Sequence, residues 1–171
     1  MAATYSPIAT YTVSGSSIAS YTFIGISTSY TDLILVCNYK PTAGSVLFMQ
    51  VGNGTIDTGS NYSQTGMGGY GSGGGKHSYN YSSQGQANIG AEAISTSTSI
   101  FSNVIVNFNN YANTNIHKSF ISRYVDGDTL ETNSKINLWR SNSAINQIKI
   151  YASSGNLSVG STFTLYGIAA A

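Results

Sequence analysis

No stretch of eleven or more residues in this chain keeps an apolar i, i+3, i+4 face; short blocks of period two run through it instead. In IFSNVIVNFNN (residues 100–110), Ser102, Val104, Val106 and Phe108 fall on one side, and Phe101, Asn103, Ile105 and Asn107 on the other. Successive side chains of a strand point to opposite faces, so this block reads as a half-buried strand. The same reading predicts strands near residues 8–13, 17–24, 32–39, 45–51, 78–82, 87–94, 101–109, 117–125, 134–139, 147–152 and 162–168. Parallel pairs need long crossovers, and no helical segment is available to supply them. The expected fold is therefore all-β, an antiparallel β-sandwich of jelly-roll type with essentially no helix. No repeat of fixed period points to a propeller or a β-helix.

The turns between these blocks carry their own signals. Asp126-Gly127 is the strongest hairpin signal, because both residues tolerate the positive φ of a tight turn. SSGN at 153–156 reads as a second hairpin, with Gly155 free to take the left-handed conformation. A glycine-rich loop is expected at about 66–75.

A chain of 171 residues is most economically one domain spanning 1–171, and its 41% apolar content can fill a core. Charged residues make up only 8%, against roughly 25% in an average soluble protein. The cations Lys40, Lys76, Lys118, Arg123, Lys135, Arg140 and Lys149 are spread singly and the formal net charge is +1. Nucleic acid is therefore not an expected partner, because that binding rests on clustered Lys and Arg. No apolar run approaches the ~20 residues of a membrane-spanning helix, and the N-terminus lacks the basic and apolar regions of a secretory signal. The single cysteine, Cys37, sits in an apolar block and reads as an inert buried thiol.

Motifs for chemistry are weak. Gly66-Met67-Gly68-Gly69-Tyr70-Gly71 satisfies G-x-G-x-x-G, and Glu92 lies about 20 residues on. A dinucleotide site also needs a buried strand before the turn and a helix after it, and the flanking SNYSQT and KHSYNYSSQG supply neither. A phosphate-binding P-loop fails at Tyr70 and His77. No G-x-S-x-G is present, and His77 and His117 read as surface or hydrogen-bonding histidines. Asp126, Asp128 and Glu131 place three carboxylates within six residues, but the rest of a calcium loop is missing and they read as a solvated hairpin turn. The expectation is no enzyme activity, no cofactor and no metal. The remaining resource is aromatic: Tyr62, Tyr70, Tyr79 and Tyr81 surround the glycine-rich stretch and are the candidate surface for recognition.

A sandwich has edge strands, and this chain has only Pro7, Pro41 and a few lysines with which to blunt them. Coverage by neighbouring subunits, hence a closed homo-oligomer, is expected. Two stretches, YSPIATYTVSG…SYTFIGI…YTDLILV and INLWRSNSAINQIKIYASSGNLSVGSTFTLYGI, resemble small β-sandwich virion proteins of tailed bacteriophages, particularly those of cyanobacteria and marine bacteria. In that group such sandwiches occur as trimeric cement (decoration) proteins on the outer capsid and as distal domains of tailspikes or tail fibres. The resemblance implies a virion structural protein, with itself (a homotrimer) and the major capsid protein as partners, on the outer capsid surface after assembly in the host cytoplasm. It carries over no site residue. The first strand begins within about ten residues of the start and the last ends close to the end, leaving little room for a fibre stalk, which favours cement. The alternative is a receptor- or glycan-binding tip domain, and a polysaccharide-degrading enzyme is a third class. Host surface polysaccharide is a further candidate partner for exposed Gly, Ser and Tyr loops.

Overall fold

A computed structural model describes residues 5–71, 75–92, 98–126 and 130–169. Among these residues there are thirteen strands: β1 (Tyr5–Thr12), β2 (Ser20–Phe23), β3 (Asp32–Tyr39), β4 (Leu47–Asn53), β5 (Thr55–Ile56), β6 (Tyr62–Tyr70), β7 (Lys76–Gln84), β8 (Ala87–Asn88), β9 (Ser102–Phe108), β10 (Lys118–Val125), β11 (Glu131–Trp139), β12 (Gln147–Ala152) and β13 (Thr162–Ile168). They form an eight-stranded sheet in the order β1-β13-β3-β9-β10-β11-β6-β7 and a five-stranded sheet in which β2-β12-β4-β5 is joined by β8 on β4. Every pairing is antiparallel.

The topology follows from four nested pairs, β1·β13, β2·β12, β3·β9 and β4·β8. The first and third lie in the large sheet and the other two in the small one. An antiparallel ribbon wrapped so that successive pairs fall in alternate sheets is a jelly roll. Two insertions depart from it: β5–β7 between β4 and β8, and β10–β11 between β9 and β12. Together β10, β11, β6 and β7 extend the large sheet beyond β9.

The core lies between the sheets. Leu33, Leu35, Cys37, Val104, Val106, Phe163 and Leu165 of the large sheet meet Leu47, Met49, Val51, Ile148 and Ile150 of the small one in a single apolar cluster, every member buried. Burial pushes the Cys37 thiol far up, which makes it inert as expected.

Three expectations change. Residues 66–70 are not loop: they are the second half of β6, a strand that the sequence reading missed, and residues 72–74 of the expected glycine-rich loop lie outside the described residues. SSGN at 153–156 is not a hairpin. Gly155 does take φ +66°, but the segment leaves β12 in the small sheet and leads to β13 in the large one, with Leu157 bridging both Ile18 and Pro41. The strand expected at 87–94 is paired only at Ala87 and Asn88, and 93–94 lie outside the described residues. The β10–β11 hairpin is present, closed by the Asp126 amide donating to the Glu131 carbonyl (2.9 Å); its turn, 127–129, lies outside the described residues.

Candidate functional site

The glycine-rich stretch and the tyrosines meet on the inner face of the extension. Gly66 and Gly68 of β6 stand opposite Tyr79 and His77 of β7 on one side, and Lys135 and Asn133 of β11 on the other. A Cβ on Gly66 would lie 2.4 Å from the Tyr79 hydroxyl oxygen, and one on Gly68 2.6 Å from His77 Nε2. The glycines thus leave a flat backbone on which two rings lie, a packing reason for the pattern that imitated a nucleotide fingerprint. Along β7 the rings form a ladder: Tyr70 to His77 at 5.1 Å, His77 to Tyr79 at 5.8 Å and Tyr79 to Tyr81 at 5.8 Å between centroids.

Beneath the ladder lies a buried charged cluster. Lys135, on the inward face of β11, is fully buried, and its Nζ donates to the carbonyls of Gly90 (2.6 Å) and Ala91 (3.2 Å). Glu92 Oε2 lies 3.7 Å from the same nitrogen, and the Tyr79 ring sits 5.5 Å from it. Glu131 Oε1 accepts the Glu92 amide and Asn133 Nδ2, both at 2.9 Å, and lies 3.8 Å from His77 Nε2. Tyr81 donates its hydroxyl to Glu92 Oε1 (2.8 Å). The segment 85–92 is therefore held on the extension by charge and by the Asn88 amide donating to Gln64 Oε1 (2.8 Å), and on the small sheet by Gln50 Nε2 of β4 donating to Gly85 O (2.9 Å).

Electrostatics follow from this burial. Desolvation drives the Lys135 ammonium down to about 7, against the opposing pull of Glu92 and Glu131. Burial, then the negative charge of Glu92 and Glu131, pushes the Tyr79 phenol far up, and the bond to Glu92 does the same for Tyr81. Lys135 is sealed from solvent and its protons are committed to backbone carbonyls, so it fixes the segment rather than meeting a ligand.

Of the four candidate tyrosines, Tyr70, Tyr79 and Tyr81 join this ladder and Tyr81 alone has its ring well exposed, at 45%. Tyr62 does not belong to a recognition surface. It is in the core, with its hydroxyl bonded to the Val51 amide (2.9 Å) and to the Asp57 carbonyl (2.9 Å), because the first residue of β6 faces the small sheet. The expected solvated turn at 126–131 is also overturned: Asp126 and Glu131 are buried, and Asp128 lies outside the described residues. Among the described residues no group of three His, Cys, Asp or Glu is placed to hold a metal ion. His117 is exposed, as read from the sequence.

Sequence reasoning missed two further polar anchors. Asp57 accepts Trp139 Nε1 (2.7 Å), Asn61 Nδ2 (2.8 Å) and the Gly59 amide (2.8 Å); burial works to raise its carboxyl, and these bonds outweigh it and hold it low. Buried Lys118 closes the loop before β10 by donating to the carbonyls of Asn113, Ile116 and Asn142.

The opposite, outer face of the extension carries large apolar side chains among polar ones. Met67 is 70% exposed and Ile136 60%, with Val125, Ile105 and Ile121 exposed beside them. Ile121 stands opposite Ile136, while Met67 faces Ser134, Val125 faces Thr132 and Ile105 faces Arg123, so these side chains form an interrupted band across β9, β10, β11 and β6 with polar residues between them. A shallow groove of about 620 Å³ runs along one end of it, between Met67, Arg123, Val125 and Thr132. No protein-family model matches the chain, and no curated protein matches it either.

Proposed function

We propose that this chain is a non-enzymatic structural protein of a bacteriophage virion, a homotrimeric cement protein that stabilises the shell from the outer capsid surface. The observation that carries the reading is the apolar band of Met67, Ile105, Ile121, Ile136 and Val125 on the outer face of the large sheet. Several large apolar side chains exposed in one region mark a site of association, and here they lie near β7, a nine-residue edge strand without proline. The other edge of the same sheet, β1, is blunted by Pro7 and a register shift between Pro7 and Ala9. β7 is bulged as well, at the register shift between Tyr62 and Gln64 of β6, so the two edges differ in the proline alone. With only +1 net charge, copies do not repel one another, and many weak apolar contacts repeated over a lattice add through multivalency. The resemblance of the first and last strands to phage sandwiches points the same way.

The test is attachment. Purified protein should have the mass of a trimer in solution and bind saturably to phage capsids stripped of their decoration. A monomer that ignores capsids and binds host cells would overturn the reading in favour of a receptor-binding tip.

A further inference from the structure

A second feature of the extension lies on its inner side, away from the apolar band. At the edge of the small sheet, on the side of β4 that faces away from the core, residues of β4, β6 and β7 and of the segment 84–92 line a pocket of about 200 Å³. Its walls are the rings of Tyr81 and Phe48, the amides of Gln64, Gln84 and Gln86, and the Glu92 carboxylate. We propose that this pocket binds one neutral pyranose residue.

The chemistry selects that ligand class by elimination. No cation lines the pocket and a carboxylate does, so anionic ligands such as phosphates or uronic acids are disfavoured. The volume lies below the roughly 300–1,000 Å³ of drug-sized sites, which leaves a single small ring. Gln86 offers a donor and an acceptor, Gln64 keeps its Nε2 donor and Gln84 its Oε1 acceptor, matching hydroxyls that are both. Glu92 Oε1, beside the bond it takes from Tyr81, has a second lone pair for a hydroxyl proton in the stronger, charge-assisted kind of bond, while Oε2 is buried. The faces of Tyr81 and Phe48 supply the apolar contact that the C–H side of a sugar ring needs.

The site is also built in advance. Tyr81, though 45% exposed, has its hydroxyl tied to Glu92 Oε1 and its ring leaning on Tyr79. Gln64 is held by the Asn88 amide and Glu92 is backed by Lys135. Ordering these side chains therefore costs little at the moment of binding. The buried cluster below the ladder acquires a purpose here: it holds the residue that accepts the ligand's hydroxyl.

The experiment is a titration of the intact ¹⁵N-labelled protein with the methyl pyranosides of glucose, galactose and mannose, with methyl glucuronide as the anionic control and dextran as a polymeric arm. At least one neutral glycoside should give saturable shifts at Phe48, the Gln84–Asn88 amides and the Gln64 and Gln86 side chains, with Kd in the range of about 1–10 mM. Methyl glucuronide should bind about tenfold more weakly, and Gln86→Ala, which disturbs no bond of the fold described above, should weaken the neutral sugar about tenfold. Binding of dextran as well assigns the site to a residue of a polysaccharide; binding of the monosaccharide alone assigns it to a free sugar. Absence of saturable shifts for all three neutral glycosides at about 50 mM, or shifts that Gln86→Ala leaves unchanged, would overturn the proposal. Capsid attachment is read separately on the same variant and stays intact in either case.

Discussion

The two halves of the large sheet obey opposite rules. Around β13, β3 and β9 the inward positions are hydrocarbon, with Phe163, Leu165, Leu33, Leu35, Val104 and Val106 packed against the small sheet. On β11 the inward positions are Glu131, Asn133, Lys135 and Asn137, while Ile136 stands outside. What differs is the cover. The first half faces another sheet, whose side chains are apolar; the second faces the segment 85–92, whose exposed carbonyls and amides demand hydrogen-bonding partners. A buried backbone segment is stable only when its polar groups are satisfied, and Lys135 and Glu131 do that. Ile136 is thereby turned to solvent.

The largest effect should come from breaking the hydrocarbon half. Phe163→Ala empties a fully buried site and should cost about 3–5 kcal/mol, measured by urea unfolding.

Next in size is a pH effect confined to the polar half. Burial lowers Lys135 from 10.5 to about 7 in the folded protein. Between those values the unfolded chain holds one more proton than the folded one, so stability rises with pH, by up to about 1.4 kcal/mol per unit. Lowered Lys118 adds in the same direction. Above about pH 9 the sign reverses, because Cys37, Tyr39, Tyr62 and Tyr79 are held neutral in the fold while the unfolded thiol ionises at 9.0 and the unfolded phenols at 10.0. Stability measured by denaturant titration should therefore peak at about pH 9, and Lys135→Met should flatten the rise from about 7. A curve already falling between 7 and 9 would show that the cluster is not buried as described.

Smaller again is the cost of filling the glycine platform. Gly66→Ala puts a methyl into the Tyr79 ring and should cost about 1–3 kcal/mol, whereas Gly69→Ala, whose Cβ would find its nearest neighbour at 3.4 Å, should be mild. The smallest effect on folding belongs to Ile136→Ser on the outer band. Unfolding free energy should move by no more than about 0.5 kcal/mol, while trimer formation, followed by sedimentation, should weaken strongly. Loss of folding without loss of association would reverse the assignment of the two faces.

Much of the first half was legible in the residues. The blocks 32–39 and 162–168 match β3 and β13 residue for residue, as 147–152 matches β12 of the small sheet, because strong β-branched and aromatic runs leave little choice of boundary. The second half was not. β6 reads YSQTGMGGY, with glycines where a strand usually has side chains, and the rings that fill the space come from β7, a different stretch of chain. In SKINLW, alternation alone would turn Ile136 and Leu138 inward; the structure turns Lys135, Asn137 and Trp139 inward instead, because the buried carbonyls of Gly90 and Ala91 need a donor. Of the four candidate tyrosines, the shared face of Tyr79 and Tyr81 was legible from their i, i+2 spacing in β7. Tyr62 was not separable from them, since its burial depends on a contact with β4.

The most direct measurement is a search for this chain in reconstructed phage particles, with the copies per particle counted. Cement predicts on the order of hundreds of copies, in threefold clusters on the outer shell, with the Met67–Ile136 face covered by a neighbouring subunit. A few copies confined to the tail, with that face open to solvent, would contradict it.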